Sequence, residues 1–384
     1  MRVCFISHVS NKYGAGRSLL SFIDGLLQKG VQCCVIMPNK GLMMEELKNR
    51  GIKYHIIPLK NWTSRDSRVW KRMLRSCFNL FISLVIAVRS YAWRADILYT
   101  NSSVISVGAF AAFLLRKPHI WHIREFGQED FGLSFDLGKR LSMKLIDRLS
   151  FRIIVISEAL RQKYLQYISP RKLKLIYNPV HVVNRVFNNS KAKYDLRELR
   201  IPTLVFVGVL HPGKGQIDAV LAVAELMKQG IQVKLRLVGR GEQEYLKHLK
   251  QVIVQNSIEE YVEFTGHVDE PARIMNSADI ILICSRSEAF GRVTVEAMLA
   301  RKPVIGARSG ATPELIKEGF NGLLYEPRNY KDLATKIKYL INHPEKANQM
   351  GTNGFEWASK QFTIEKCTNQ MFDILQEAMQ PKSR

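Results

Sequence analysis

Along the second half of the chain, short apolar runs alternate with stretches in which apolar positions recur every three or four residues. The runs are TLVFVG (203–208), QVKLRLVG (232–239), YVEFTG (261–266), DIILIC (279–284), PVIGA (303–307) and GLLY (322–325). Most are continuously apolar rather than alternating, which predicts strands of a parallel sheet covered on both faces. Gln216–Gln229 and Glu242–Gln255 have helical periodicity. Strands alternating with helices predict a doubly wound α/β domain. The first half repeats the theme with RVCFIS (2–7), QCCVIMP (32–38), YHIIPL (54–59), DILYTN (96–101), HIWHI (119–123) and RIIVIS (152–157), separated by helical stretches at Ser18–Lys29, Val104–Leu115 and Leu137–Leu149. The segment 177–195, YNPVHVVNRVFNNSKAKYD, has Pro, four Asn and no helical period, and reads as a linker. Thr363–Met379 is helical after both sheets are complete and is expected to return to the first domain. The prediction is an α/β protein of two Rossmann-like doubly wound domains, 1–183 with the C-terminal helix 363–384, and 184–362.

A length of 384 residues suits two cores rather than one. Charge changes the picture more. Residues 1–193 hold 32 Lys+Arg against 11 Asp+Glu, a net of +21, whereas residues 194–384 hold 25 against 23, a net of +2. A cationic field confined to one half implies an anionic partner such as a membrane surface, a lipid phosphate or nucleic acid. The six cysteines (4, 33, 34, 77, 284 and 367) show no metal-type spacing, and Cys4 and Cys284 sit inside apolar strands. This usage reads as a reduced, cytosolic protein. MRVCFISHVS has a strand pattern rather than that of a signal peptide, and no uncharged run reaches the length of a spanning helix.

The candidate chemistry lies in SRSEAFGRVTVEAM, Ser285–Met298, where a strand ends, turns and leads into a helix near Gly291. In open α/β sheets ligands sit beyond the carboxyl ends of strands. The N–H groups of the first helical turn form an anion site there, and Gly291 allows a phosphate to approach the backbone. Glu288 precedes the helix and Glu296 lies inside it, so the two carboxylates flank the anion. That layout suits hydroxyl groups on either side of a diphosphate, as in a sugar nucleotide. By residue type alone, a helix-capping Glu288 and a solvated Glu296 read equally well.

EAFGRVTVE resembles the E-x7-E motif of retaining glycosyltransferases of family 4, which have the GT-B fold, two Rossmann-like domains facing a central cleft. FVGVLHPGKGQ (206–216) resembles that family's phosphate-binding loop and KYGAGRSLL (12–20) its first glycine loop; VGRGEQEYL (238–246), FTGHV (264–268), SGATPEL (309–315) and NGLLYEP (321–327) follow in the same order. The resemblance implies that Glu288 contacts the donor sugar and Glu296 the ribose, and that Lys214 neutralises the diphosphate. It further implies that backbone amides of Ala289, Phe290 and Gly291 bind phosphate, that Gly14 and Gly16 let a loop of the first domain close on the donor, that His122 faces the sugar, and that Val268 meets the base. Val209 stands where the family usually has Arg, and Arg292 is the expected replacement cation. No Asp-x-Asp clamp is present, so no metal or cofactor is expected. The implied reaction is hexosyl transfer with retention from a nucleotide-sugar donor to a glycan or lipid-linked acceptor of bacterial surface polysaccharide, such as lipopolysaccharide. The implied enzyme is cytoplasmic and peripheral on the inner face of the cell membrane.

Residues 65–94 carry Arg65, Arg68, Lys71, Arg72 and Arg75 ahead of an uncharged run, Phe78–Val88, followed by Tyr91 and Trp93. The run itself reads as a core helix with a cationic start, and membrane docking is expected of the domain as a whole. An oxidoreductase is disfavoured, because GAGRSL lacks the third glycine of the dinucleotide motif and the second strand ends in Pro38-Asn39 rather than an acidic residue. Nucleic-acid binding has only the charge in its favour, with no zinc, RNP or helix-turn-helix signature. A sugar-nucleotide epimerase shares the fold and remains the enzymatic alternative; a non-catalytic basic membrane- or nucleic-acid-binding protein is the other.

Overall fold

The computed structural model describes residues 1–65, 68–180, 201–268 and 271–380. It divides into two compact units, Met1–His181 with Thr363–Arg384, and Val182–Phe362. Most of the expected linker, from 181 onward, lies outside the described residues.

The first unit runs β1 (Arg2–Ser7), α1 (Gly14–Gln28), β2 (Gln32–Met37), α2 (Met43–Asn49), β3 (Lys53–Ile56), β4 (Thr63–Ser64), α3 (Val69–Ala92), β5 (Ile97–Asn101), α4 (Val107–Leu115), β6 (His119–Ile123), α5 (Gln128–Phe131), β7 (Ser134–Phe135), α6 (Lys139–Leu149), β8 (Arg152–Val155), α7 (Glu158–Leu165) and β9 (Leu173–Leu175). Seven strands form a parallel sheet in the order β3-β2-β1-β5-β6-β8-β9. Every strand predicted from an apolar run is present. The three-residue edge strand β9 and the small β4–β7 antiparallel pair had no signal of that kind.

Alternate residues of these strands enter two cores. Val3, Phe5, Tyr99 and Ile120 pack with Phe22 and Leu26 of α1 on one face, and Cys4, Ile6 and Leu98 pack with Ile82 and Ile86 of α3 on the other. The C-terminal helix α15 (Ile364–Met379) adds Cys367, Met371 and Leu375 to the α1 core. It sits so close to α1 that a Cβ on Gly25 would lie 2.3 Å from Thr368 Oγ1. Only a side chain as small as hydrogen lets the two helices meet there.

The second unit runs β10 (Thr203–Val207), a 3₁₀ turn (Pro212–Lys214), α8 (Gln216–Lys228), β11 (Lys234–Val238), α9 (Gln243–Gln255), β12 (Val262–Gly266), α10 (Pro271–Asn276), β13 (Ile280–Ile283), α11 (Arg292–Leu299), β14 (Val304–Ala307), α12 (Thr312–Leu315), β15 (Leu323–Tyr325), α13 (Tyr330–Asn342) and α14 (Pro344–Gln361). Its sheet is parallel, ordered β12-β11-β10-β13-β14-β15. Strand order reverses between β10 and β13, so the loops leaving these neighbours diverge and open a crevice beyond their carboxyl ends. The β10 loop returns across that crevice at Gly215, whose φ is +72° and whose added Cβ would stand 2.0 Å from the carbonyl oxygen of Cys284.

Gly215→Ala is therefore expected to lower stability by more than the roughly 1–3 kcal/mol of a left-handed non-glycine residue, because backbone must also move. Urea unfolding measures it. A change below about 0.5 kcal/mol would contradict the close approach.

Candidate active site at the β10–β13 switch point

The β10 loop ends in a tight turn. The N–H of Gly213 donates to Nδ1 of His211 at 3.1 Å, and Pro212 starts the 3₁₀ turn that sets Lys214 at its last position. Across the crevice the N–H of Arg286 donates to Gly213 O at 2.8 Å, tying the β10 and β13 loops together. Lys214 Nζ then donates to Glu288 Oε2 at 2.8 Å, and Ser285 Oγ donates to the same oxygen at 2.8 Å. The Glu288 side chain is 18% exposed and that of Lys214 34%. Burial alone would raise the Glu288 pKa. The Lys214 charge and hydrogen bonds from Lys214, Ser285 and the Gly291 N–H outweigh it and hold the carboxyl below its ordinary value. Glu288 is thus an ionised acceptor, mostly out of water, before any ligand arrives.

A second loop supports it from behind. The N–H of Ala311 donates to Glu288 O at 2.7 Å, Ser309 Oγ donates to Ser285 O at 2.6 Å, and a Cβ on Gly310 would strike the Glu288 backbone at 2.4 Å. Beneath lies Asp218, 3% exposed, on α8. It accepts from Nη1 and Nη2 of the Arg286 guanidinium, each at 2.7 Å, from the Tyr325 hydroxyl at 3.0 Å and from the Arg328 N–H at 3.1 Å. These four donors satisfy a buried carboxylate and lock Arg286, two residues before Glu288, in place.

Helix α11 begins just past this point. Gly291 is its N-cap with φ +94°, and Phe290 is buried edge-to-face against Phe362. The turn from Ala289 to Gly291 thus joins the switch point to a helix start, where N–H groups face outward along the axis. Arg292 and Glu296, both largely buried, approach at 3.4 Å across one turn of α11. The helix start is therefore flanked by two carboxylate–cation pairs, Glu288–Lys214 and Glu296–Arg292. Val209, 63% exposed, leaves no cation at its own position. Val268 follows β12, the edge strand, and is half-buried.

The glycines of the first unit have local reasons. Gly14 opens α1 with φ +38°, and a Cβ on Gly16 would lie 2.1 Å from Asn11 O. The expectation for His122 needs correction. Strand alternation points it under α1, where it is fully buried, edge-on to Phe22, with Nδ1 facing the Tyr99 hydroxyl and, at 3.1 Å, Arg124. Its Nε2 has no hydrogen-bond partner among the described residues. The polar residues at the end of β6 are instead Arg124, which donates to Asn101 Oδ1 at 2.5 Å, and Glu125, which accepts from Ser102 Oγ at 2.9 Å and Ser103 N at 2.6 Å. Ser285, Arg286 and Asp218 lacked any periodic or spacing signal of their own. Among the described residues no group of three or more His, Cys, Asp or Glu is placed to hold a metal ion.

Comparison with known proteins agrees with this geometry. Residues 13–183 match the family model Glycosyltransferase Family 4, and residues 190–357 match Glycosyl transferases group 1. An uncharacterized glycosyltransferase of Methanocaldococcus jannaschii is 31% identical over 273 residues, covering 71% of this chain and 72% of that protein. A GDP-mannose-dependent phosphatidylinositol monomannoside mannosyltransferase of Mycobacterium tuberculosis is 29% identical over 194 residues, 48% of this chain and 49% of that one. The crystal structure of Anabaena HepE in complex with UDP-glucose superposes with a TM-score of 0.80, at 25% identity, over 98% of this chain and 100% of that one. A parallel switch-point site on two Rossmann-like units defines the class, a GT-B glycosyltransferase. The chain belongs to glycosyltransferase family 4.

Two stability measurements test the site. Asp218→Ala leaves the Arg286 guanidinium without its carboxylate and is expected to cost roughly 3–5 kcal/mol in chemical unfolding; a loss under about 1 kcal/mol would contradict the network. Burial lowers the pKa of His119 to about 3, and burial with the Arg124 charge lowers that of His122 well below its ordinary value. The unfolded chain protonates both near about pH 6.5, so below that it binds more protons and stability falls as pH drops, by about 1.4 kcal/mol per histidine per pH unit. Urea midpoints at neutral and mildly acidic pH should show this slope, and His122→Gln should flatten it.

Proposed function

We propose that this glycosyltransferase moves a hexose from a nucleoside diphosphate sugar to a glycan or lipid-linked acceptor in cell-surface polysaccharide synthesis, with retention at the anomeric carbon. The observation that carries the reading is the Lys214–Glu288 pair at 2.8 Å beside the start of α11. The diphosphate lies against the Ala289–Gly291 turn, with Lys214 Nζ on one side and Arg292 on the other. Glu288, already ionised, accepts hydrogen bonds from sugar hydroxyls, and Glu296 from the ribose. The HepE complex with UDP-glucose supports a donor of this class. The M. tuberculosis relative is named for GDP-mannose, so the family resemblance alone does not choose the nucleotide.

The chemistry follows from charge. The bond from the anomeric carbon to phosphate oxygen breaks and the electron pair leaves on the nucleoside diphosphate. The acceptor hydroxyl oxygen bonds to the anomeric carbon from the same face, and its proton passes to the departing phosphate oxygen. What the protein must supply is stabilisation of the leaving charge. Lys214, Arg292 and the α11 N-terminus supply it without a metal or further cofactor. Arg292 takes the place of the cation that Val209 cannot provide. Working at a membrane acceptor fits the basic first half, and we place the enzyme on the cytoplasmic face of the membrane, held to anionic lipid.

Thermal shifts with UDP, GDP, ADP and CDP, then their sugars, test the donor site. One nucleotide should stabilise the protein, and Lys214→Ala should abolish that shift. Glu288→Gln should keep the shift from the free nucleotide, lose the increment from the attached sugar, and cut turnover by roughly 10²–10³. Arg292→Ala should weaken donor binding about tenfold, the effect of one lost phosphate cation near 1.4 kcal/mol. If Lys214→Ala and Glu288→Gln both bind donor as the unaltered protein does, the site lies elsewhere.

A further inference from the structure

We propose that the outward face of α3 is the surface this protein buries in anionic lipid, lying in the plane of the interface rather than crossing it. The inference rests on the membrane reading above and corrects one part of the sequence expectation, in which Phe78–Val88 is a core helix.

The helix is inverted relative to a solvated one. Its exposed positions carry Trp70, Met73, Leu74, Phe81, Leu84 and Val88, each at least half exposed, and Tyr91 at 75%. From Val69 to Ala92 the only charged residue among the exposed positions is Arg89. At about 100° per residue, positions 70, 73, 74, 80, 81, 84, 88 and 91 fall within an arc of roughly 120°. The face that packs inward carries the polar groups. Asn79 pairs with both backbone groups of Lys60 at 2.7 and 3.0 Å, Ser83 Oγ donates to Asn79 O at 2.7 Å, and Ser90 Oγ meets Cys4 Sγ at 3.5 Å. Those polar groups are satisfied, while the large apolar side chains outside have no such arrangement with water.

Two features commit the face to lipid. First, α3 contains no acidic residue; Arg68 and Arg89 are exposed near its two ends, Arg94 just beyond it, and Lys71 is half-buried in its first turn. An apolar stripe framed by cations fits acyl chains under anionic headgroups, whereas a second copy of the same face would bring like charges together. Second, the helix cannot leave the unit to span a bilayer. It is long and apolar enough to cross a membrane by length and composition. Its other side, however, supplies Ile82, Ile86 and Ala87 to the core, and Arg75 is paired with the buried Asp136. Arg72, also counted among the basic residues of this segment, donates to Asp136 O at 2.8 Å. Fixed along its length, α3 offers one face only, an apolar stripe whose 22 residues from Trp70 to Tyr91 span about 33 Å at 1.5 Å each.

The test is flotation of the full chain with vesicles of phosphatidylcholine mixed with phosphatidylglycerol and with phosphatidylcholine alone. Binding should be at least about tenfold stronger to the anionic vesicles, with a blue shift of tryptophan fluorescence. Phe81→Glu and Leu84→Glu together should weaken it about a hundredfold while leaving the melting temperature and the nucleotide-induced thermal shift unchanged. Equal flotation of this variant and the unaltered protein would overturn the proposal. So would absence of vesicle binding by the unaltered protein, or a concentration-dependent dimer abolished by the same substitutions with no vesicle binding. Failure of the donor reading would show differently, as no nucleotide-induced shift in the unaltered protein whatever its vesicle binding.

Discussion

The backbone contact between Gly215 and Cys284 O is what the second unit's site is built on. At 2.0 Å from any added Cβ, the chain can come this close to the end of β13 only without a side chain, and only with φ +72°. The same contact sets the Arg286 N–H on Gly213 O. Once both loops are pinned, Lys214 has one place to stand, and Glu288 is within its reach. The Lys214–Glu288 pair is thus a result of backbone packing at the strand-order reversal rather than of two side chains finding each other.

Charge burial at the site follows one rule throughout. Two mostly buried carboxylates at the switch point are each matched by donors distant in the chain: Asp218 by Arg286, Tyr325 and Arg328, and Glu288 by Lys214, with Ser285 of its own loop adding a further bond. Removing a charge from water costs several kcal/mol unless geometry and extra hydrogen bonds offset it. Asp218 uses four donors to hold structure. Glu288 is left partly exposed, and its partner Lys214 more so. The two carboxylates have similar chemistry and differ in depth.

In the first unit the division runs across one helix. α3 puts its small polar residues inward together with Ile82 and Ile86, leaves a stripe of large apolar ones outward, and carries its cations toward the ends. Part of the segment's positive charge is spent internally, since Arg75 pairs with Asp136 and Arg72 binds the adjacent backbone. Net charge therefore overstates the cationic surface of this segment, while the apolar surface is larger than composition suggests.

Strands were legible because a parallel sheet covered on both faces demands continuous apolar runs, and each such run became a strand. Strands of two or three residues, such as β4, β7 and β9, are too short to leave a pattern, and α1 begins at Gly14 rather than Ser18 because glycines weaken a helical signal at its start. The helix start at Gly291 was readable, being local. The partners of its carboxylates were not: Lys214 lies 74 residues from Glu288 and Asp218 lies 68 from Arg286. Resemblance to a family marked Lys214 and Glu288 as donor-binding residues but did not show that they pair. The uncharged run Phe78–Val88 read as a core helix, because composition alone does not tell which side of a helix is covered. Likewise the position of His122 in β6 was plain, but only the packing of α1 over that face decided that it lies in the core. The sequence by itself determined the elements and the helix-start chemistry, which depend on neighbours along the chain; the tertiary structure alone decided pairing, depth and which side meets solvent, which depend on neighbours in space.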